Sequence, residues 1–311
     1  MSGVSAERFQ IGLDEAGYGP LLGPLTTGVV RVDGPAGALK AALGRRLKGM
    51  PRIDDSKRLF SGPQGFARLE RTALAAVTAV RGATPRTVAE FFESPPVGLA
   101  DHDWYGSLDA PLPRSADPKD VSAAASAVVR GLGAQGAVLA VAAAEAKLEA
   151  DYNARCVRLG NKGAAHLEHM GDAMLRGLRD RPAGPGRVDC DRLGGRKDYS
   201  AFLAGLFPFR PFDTMVESDE RSRYEVRPES GLLAVSFLVG GETASPAIAL
   251  ASCLAKYARE LLMEAFNAHF ARRCPGLLPT AGYWEDGLRF LNDLVDRTGD
   301  AGWPSKLRRI R

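Results

Sequence analysis

Two carboxylates stand side by side at Asp14 and Glu15, and the glycine-rich stretch Gly17-Tyr18-Gly19-Pro20 follows almost at once. Upstream, Phe9, Ile11 and Leu13 alternate with Gln10, Gly12 and Asp14. That is the period of a half-buried strand, with Asp14 on its less apolar face. A second strand is predicted at Arg187-Val188-Asp189-Cys190, again with an aspartate near its far end. Carboxylates delivered at neighbouring strand ends repel one another unless a cation lies among them. Hard oxygen donors with open positions suit Mg²⁺ or Mn²⁺, and two such ions about 4 Å apart can activate a water and stabilise the leaving oxygen of a phosphodiester. On spacing alone a plainer reading stands beside this one: Asp14 and Glu15 cap a turn, and Asp189 is a surface-loop acid.

The elements that must hold these acids follow from periodicity. Residues 26–32 read as a β-branched strand returning antiparallel beside the first. Phe66, Leu69, Ala73 and Val77 mark a helix over residues 64–81. Residues 82–120, rich in Pro, Gly and Asp, read as a long irregular excursion or small subdomain. Residues 121–133 are predicted helical. Residues 137–146 start as a buried strand, with a helix as the competitor because of their alanines. Leu167, Met170, Met174, Leu175 and Leu178 recur at helical spacing across residues 160–180. A long central helix is predicted from Pro246 to Phe270, and a short one from Asp286 to Asp296. The basic end "KLRRIR" reads as a solvated or frayed tail, with a phosphate contact as the alternative.

The chain has 311 residues, 45% of them hydrophobic and 25% charged, which is enough to bury a full core as one large domain or two smaller ones. A net charge of +4 permits a polyanionic partner without requiring one. Cys156, Cys190, Cys253 and Cys274 form no C-x-x-C pair, so neither a zinc site nor a disulfide framework is indicated. No apolar run is long enough to cross a bilayer and no secretory leader pattern opens the chain, so a cytoplasmic protein is expected. His166 and His169 share a helix face, but with no acid at matching spacing they read as surface histidines rather than a metal pair. His102 and His269 stand without companions. Lys256 and Arg259 share a face of the long helix, suited to phosphate or to the acids.

Six blocks in order resemble the type 2 ribonuclease H family, ribonuclease HII. "GLDEAGYGPLLGPL" is similar to the signature D-E-A-G-R-G-P-x-x-G-P, and "DDSKRL" (Asp54 to Leu59) to a D-S-K-K-L block. "NKGAAHLEHMGDAMLRGL" from Asn161 resembles the family helix that begins near an asparagine, and "VDC" falls where the family has V-D-G. "LASCLAKYARELLM" and "PTAGYWEDGLRFL" resemble two blocks near the family's C-terminal end. The match spans residues 9–294, with segments 60–137 and 227–245 reading as insertions.

The resemblance implies a single RNase H-like α/β domain over residues 1–311, a mixed central β-sheet flanked by α-helices, with a C-terminal helical part from about 246 to 311. It implies a metal-dependent endonuclease that cleaves the RNA strand of RNA/DNA hybrids by two Mg²⁺ or Mn²⁺ ions, leaving 3′-hydroxyl and 5′-phosphate ends. Carried over, Asp14, Glu15, Asp189 and Asp219 are the metal ligands, with Asp191 the alternative to Asp189 and Glu217 the fallback for Asp219. Gly17 and Gly19 would bring backbone groups to a phosphate or to the ribose hydroxyl that distinguishes RNA from DNA. Tyr283 would pack on a nucleotide, and Lys57 and Lys256 would neutralise phosphate. Lys57 reads equally as a solvated lysine after a cap formed by Asp55 or Ser56. The chain departs from the family at Tyr18, where an arginine is usual: the ring either stacks on a sugar or base or packs against the insertion. This departure puts recognition of a single embedded ribonucleotide in doubt. Arg259-Glu260, in place of R-D, reads as a structural ion pair. Two other expectations remain: a catalytically inactive nucleic-acid-binding module of this fold, and a nuclease of this fold acting on another structured nucleic acid.

Overall fold

The computed structural model describes residues 7–44, 49, 51, 53 and 56–310. Its strands are β1 (Phe9–Ala16), β2 (Leu25–Asp33), β3 (Val138–Lys147), β4 (Gly186–Asp191), β5 (Phe212–Glu217), β6 (Arg221–Val226) and β7 (Leu233–Leu238). The helices are α1 (Ala38–Gly44), α2 (Ser56–Phe60), α3 (Gly65–Arg81), α4 (Val88–Phe92), α5 (Pro118–Gly133), α6 (Glu149–Leu159), α7 (Lys162–Leu178), α8 (Ser200–Leu206), α9 (Gly241–Ala244), α10 (Pro246–Arg273), α11 (Trp284–Thr298) and α12 (Trp303–Leu307). The strands form one mixed sheet in the order β3-β2-β1-β4-β7-β6-β5. β1 runs antiparallel to β2 and parallel to β4, and β4 runs parallel to β7. A mixed sheet flanked by helices is what the family resemblance implies.

β1 is buried on both faces, not half-buried as its alternation predicts. Ile11, Leu13 and Phe9 pack with Val188, Met170 and Met174 on the α7 side. The other face is covered by α10, and glycine is what allows it. A Cβ on Gly12 would fall 2.1 Å from the carbonyl carbon of Ala247, and one on Gly28 would fall 1.9 Å from the Ala251 oxygen. Backbone therefore rests on backbone, at a distance no side chain permits. A helix so enclosed must be apolar nearly all round, and Ala247 to Ala255 are all buried.

Segment 60–137, read as an insertion, packs into the domain's own core, and so do parts of residues 82–120, expected as an irregular excursion or small subdomain. Leu69, Ala73 and Val77 of α3, Phe91 of α4 and Tyr105 belong to the same hydrophobic cluster as Tyr257 and Phe266 of α10. Glu70, fully buried, secures the irregular part: it accepts hydrogen bonds from the backbone N–H groups of Arg114, Ser115 and Ala116 at 2.6–2.7 Å and from the Tyr257 hydroxyl at 2.7 Å. His102, expected without companions, is buried beside Glu149 at 3.8 Å and accepts from the Ala150 N–H. The basic tail is anchored too, since Leu307 and Arg309 are buried. Among the described residues no helix is long and apolar enough to cross a membrane.

Candidate active site

The register of β1 on β4 decides which aspartates meet. Gly12 pairs with Asp189 and Leu13 with Cys190, so one step on, at the strand ends, Asp14 comes level with Asp191. Asp189 lies one side-chain layer back. Its Oδ2 accepts from Gln10 Nε2 at 2.8 Å and Ser245 Oγ at 3.0 Å, and stands 3.1 Å from Arg187 Nε. Its negative charge is thus matched within the protein.

At Asp14 the strongest neighbouring charges are themselves acidic. Burial first, then the charges of Glu15, Asp191 and Glu242, push its carboxyl well above the usual aspartate range, with the Ser252 hydroxyl opposing. Asp191 is pushed up to about 6, again by burial first, then by Glu15 and Glu242; the Gly241 N–H and Lys57 act the other way. The Gly241 N–H donates to Asp191 Oδ1 at 2.8 Å, and a Cβ at Gly241 would crowd that oxygen at 2.9 Å. Glu242, on α9, accepts from Ser56 Oγ at 3.1 Å and from Ser252 Oγ, tying α2 and α10 to the same point. Lys57 is exposed on α2 with its charge felt at Asp191. Asp55, the other proposed cap of that helix, lies outside the described residues.

The structure therefore brings together Asp14, Glu15 and Asp191, with Glu242 joining them, and does not bring in Asp189 or Asp219. Asp219 is solvent-exposed at the β5–β6 turn and pairs with Lys197 at 2.5 Å. Glu217 accepts from the Tyr224 hydroxyl. Neither is among the largest influences on Asp14 or Asp191. Among the described residues no three His, Cys, Asp or Glu side chains stand as a ready-made metal-holding group. The donor set is nonetheless one that a hard divalent cation fits: all-oxygen, acidic and at a strand edge.

Two histidines expected at the surface are buried. His166 is 1% exposed, with Nε2 3.6 Å from Glu15 Oε2 and its ring 4.4 Å from that of Tyr18. His169 is held neutral, pushed down to about 2 by burial first and then by Arg155 and Lys147. Tyr18 packs with Leu25, Tyr152 and Ala165, against α6 and α7 and not against segment 60–137.

The glycine turn is clamped through its carbonyls. Arg259, buried, donates to Pro24 O at 2.6 Å, Ala281 O at 3.0 Å and Leu22 O at 3.3 Å. Arg309 donates to Pro20 O at 2.5 Å and to Gly17 O, so the predicted frayed tail closes on the first loop. Gly17 has φ +91° and no room for a side chain, a Cβ there falling 2.6 Å from Pro24 O, whereas Gly19 is open. The predicted Arg259–Glu260 pair does not form. Arg259 turns inward to the carbonyls, and Glu260 pairs with Lys256 at 2.6 Å. Lys256 lies one turn along α10 from Ser252 and, with Tyr283, lines a cavity of about 450 Å³; Tyr283 is 56% exposed there.

No family model matches the chain, and no curated protein matches it in sequence. Solved structures do. The ribonuclease H2 from Pyrococcus horikoshii OT3 is 14% identical, covering 94% of this chain and 89% of its own, with a TM-score of 0.44. The ribonuclease HII from Archaeoglobus fulgidus, solved in complex with PCNA, is 14% identical over 97% of this chain and 92% of its own, TM-score 0.44. Bst-RNase HIII in complex with Mn²⁺ is 15% identical over 99% of this chain and 67% of its own, TM-score 0.39.

Proposed function

We propose that the chain is a single RNase H-like catalytic unit, a metal-dependent endonuclease that hydrolyses the RNA strand of RNA/DNA hybrids to 3′-hydroxyl and 5′-phosphate ends. Its ligands are Asp14, Glu15, Asp191 and Glu242, with Asp191 in the place first given to Asp189 and Glu242 in that given to Asp219. The observation that carries this reading is the cost of the cluster. Asp14 and Asp191, on two parallel strand ends, have their proton affinity raised by burial and then by the charges of Glu15 and Glu242, and like charges held so are expensive unless a cation joins them.

Two Mg²⁺ or Mn²⁺ ions held by these oxygens would supply charge neutralisation at the phosphate and a lowered pKa for the attacking water. The protein's own part is positioning. Strand backbone and the Gly241 N–H fix Asp191, the hydroxyls of Ser56 and Ser252 orient Glu242, and the buried His166 ring confines Glu15. Lys57 neutralises phosphate beside Asp191. Lys256 and Tyr283 contact the neighbouring nucleotide from their shared cavity, and the arginine-clamped turn presents Gly17, Tyr18 and Gly19 to the backbone.

The test is a panel of labelled RNA/DNA hybrid, duplex RNA, duplex DNA and duplex DNA with one ribonucleotide, incubated with Mg²⁺ or Mn²⁺. The hybrid's RNA strand is cut by the wild type and by Asp219→Asn, and not by Asp14→Asn or Asp191→Asn. Retention of the hybrid without cleavage would make the protein a binding module. Cleavage of another duplex in its place would make it a nuclease of different substrate.

A further inference from the structure

Beside the carboxylates the chain gathers two cations from separate elements. Tyr18 follows Glu15 by three residues. Lys162, the first residue of α7, places its Nζ 4.3 Å from the centroid of the Tyr18 ring. Arg196 belongs to the loop that leaves β4 five residues after Asp191 and is exposed. Its Nη2 lies 3.7 Å from where a Cβ on Gly163 would stand, against the first turn of α7. The guanidinium also lowers the proton affinity of the Tyr18 hydroxyl, which burial and Glu15 raise. The ring itself is not free to swing away. It is tilted on the His166 ring at 4.4 Å and packed against Tyr152 and Ala165. His166, 1% exposed and with no hydrogen bond from either ring nitrogen, faces Glu15.

We infer that Lys162 and Arg196, seated at Tyr18, form a subsite for a backbone phosphate of the nucleic acid, next to the phosphate that the carboxylates receive. The inference rests on the nuclease reading of the acidic cluster and deepens it. A polyanion is repelled by four carboxylates taken alone, so its hold on the protein must come from cations at the rim. Lys57 serves that purpose beside Asp191, and Lys162 with Arg196 serves it beside Glu15. The aromatic ring keeps the lysine ammonium in place at little cost in solvation, and the two cations arrive from two elements, the start of α7 and the loop after β4.

The test is equilibrium binding of a short fluorescein-labelled RNA/DNA hybrid to the full chain in Ca²⁺, by anisotropy, across a salt series, with hybrid cleavage in Mg²⁺ measured in parallel. Lys162→Ala and Arg196→Ala each weaken binding and flatten the plot of log affinity against log salt by about 1, and the double variant by about 2. Lys162→Arg restores the slope. Arg227→Ala, which removes a cation paired to Asp213 on the β5–β6 hairpin, leaves it unchanged. Wild-type slopes in both alanine variants, with cleavage intact, would overturn the subsite and leave the nuclease reading standing. Flattened slopes in a protein that cuts no hybrid would keep the subsite and remove the nuclease reading. If the wild type does not bind the hybrid, both fall.

Discussion

Replacing Asp191 by Asn should stabilise the metal-free protein. In the folded chain Asp191 takes up its proton near 6, against an ordinary value of 3.8, because it is buried and faces Glu15 and Glu242. The difference of about 2 pH units corresponds to about 3 kcal/mol of destabilisation once the carboxyl is ionised, at about 1.4 kcal/mol per unit. The sign follows from proton counting. Between pH 4 and 6 the folded state binds the proton that the unfolded state has lost, so stability falls as pH rises through that window and stays low above it. Below pH 4 both states are protonated, and the wild type and Asp191→Asn should unfold alike. Above pH 6 the variant should be more stable by up to about 3 kcal/mol, with a further share from relief of Asp14. The Gly241 N–H keeps an acceptor in the amide oxygen, so the substitution leaves no donor orphaned. Urea unfolding in EDTA at half-unit steps from pH 3.5 to 8 measures this directly. A variant less stable than the wild type at pH 7, or an advantage independent of pH, would refute the view of Asp191 as a repelled member of an acidic cluster. Adding Mn²⁺ should then reverse the order, since ligand binding stabilises only the protein that can hold it.

Arg259→Met should cost roughly 3 kcal/mol in urea unfolding, because carbonyls at Leu22, Pro24 and Ala281 lose their donor inside the core; a cost under about 1 kcal/mol would refute the clamp. Gly28→Ala should cost about 3 kcal/mol or more, or prevent folding, since its Cβ would meet the Ala251 oxygen at 1.9 Å, and a thermal midpoint equal to wild type would contradict that seating of α10. Arg309→Ala should lower stability by roughly 2 kcal/mol and raise amide exchange at residues 17–22, whereas unchanged exchange there would show the turn to be held by other contacts.

What sequence could show was set by the range over which each interaction acts. β1, β2, α3, α5, α7 and α10 follow from local periodicity, and Asp14 and Glu15 stand out because they adjoin a glycine turn. Asp191 in place of Asp189 is a matter of parallel register, which β1 and β4 settle only by pairing across more than 170 residues. Glu242 lay in a stretch, 227–245, that reads as an insertion, and the doublet Gly240-Gly241 before it is the local sign of close backbone approach. The fourth acid proposed at Asp219 came from a loosely matching charge run, and that run forms the β5–β6 hairpin instead. His166 gave no sign at all. Its burial comes from β1 lying beneath α7, and its spacing to His169 is that of any amphipathic helix.

The bonds from Arg309 to Gly17 and Pro20 give the order of synthesis a meaning. The carbonyls of Gly17 and Pro20 meet this donor only once a residue nearly three hundred positions further on has been made. Until then the loop that follows Asp14 and Glu15 lacks one of its two arginine clamps. A chain that stops short of Arg309 carries both acids with the loop after them held from one side only, by Arg259.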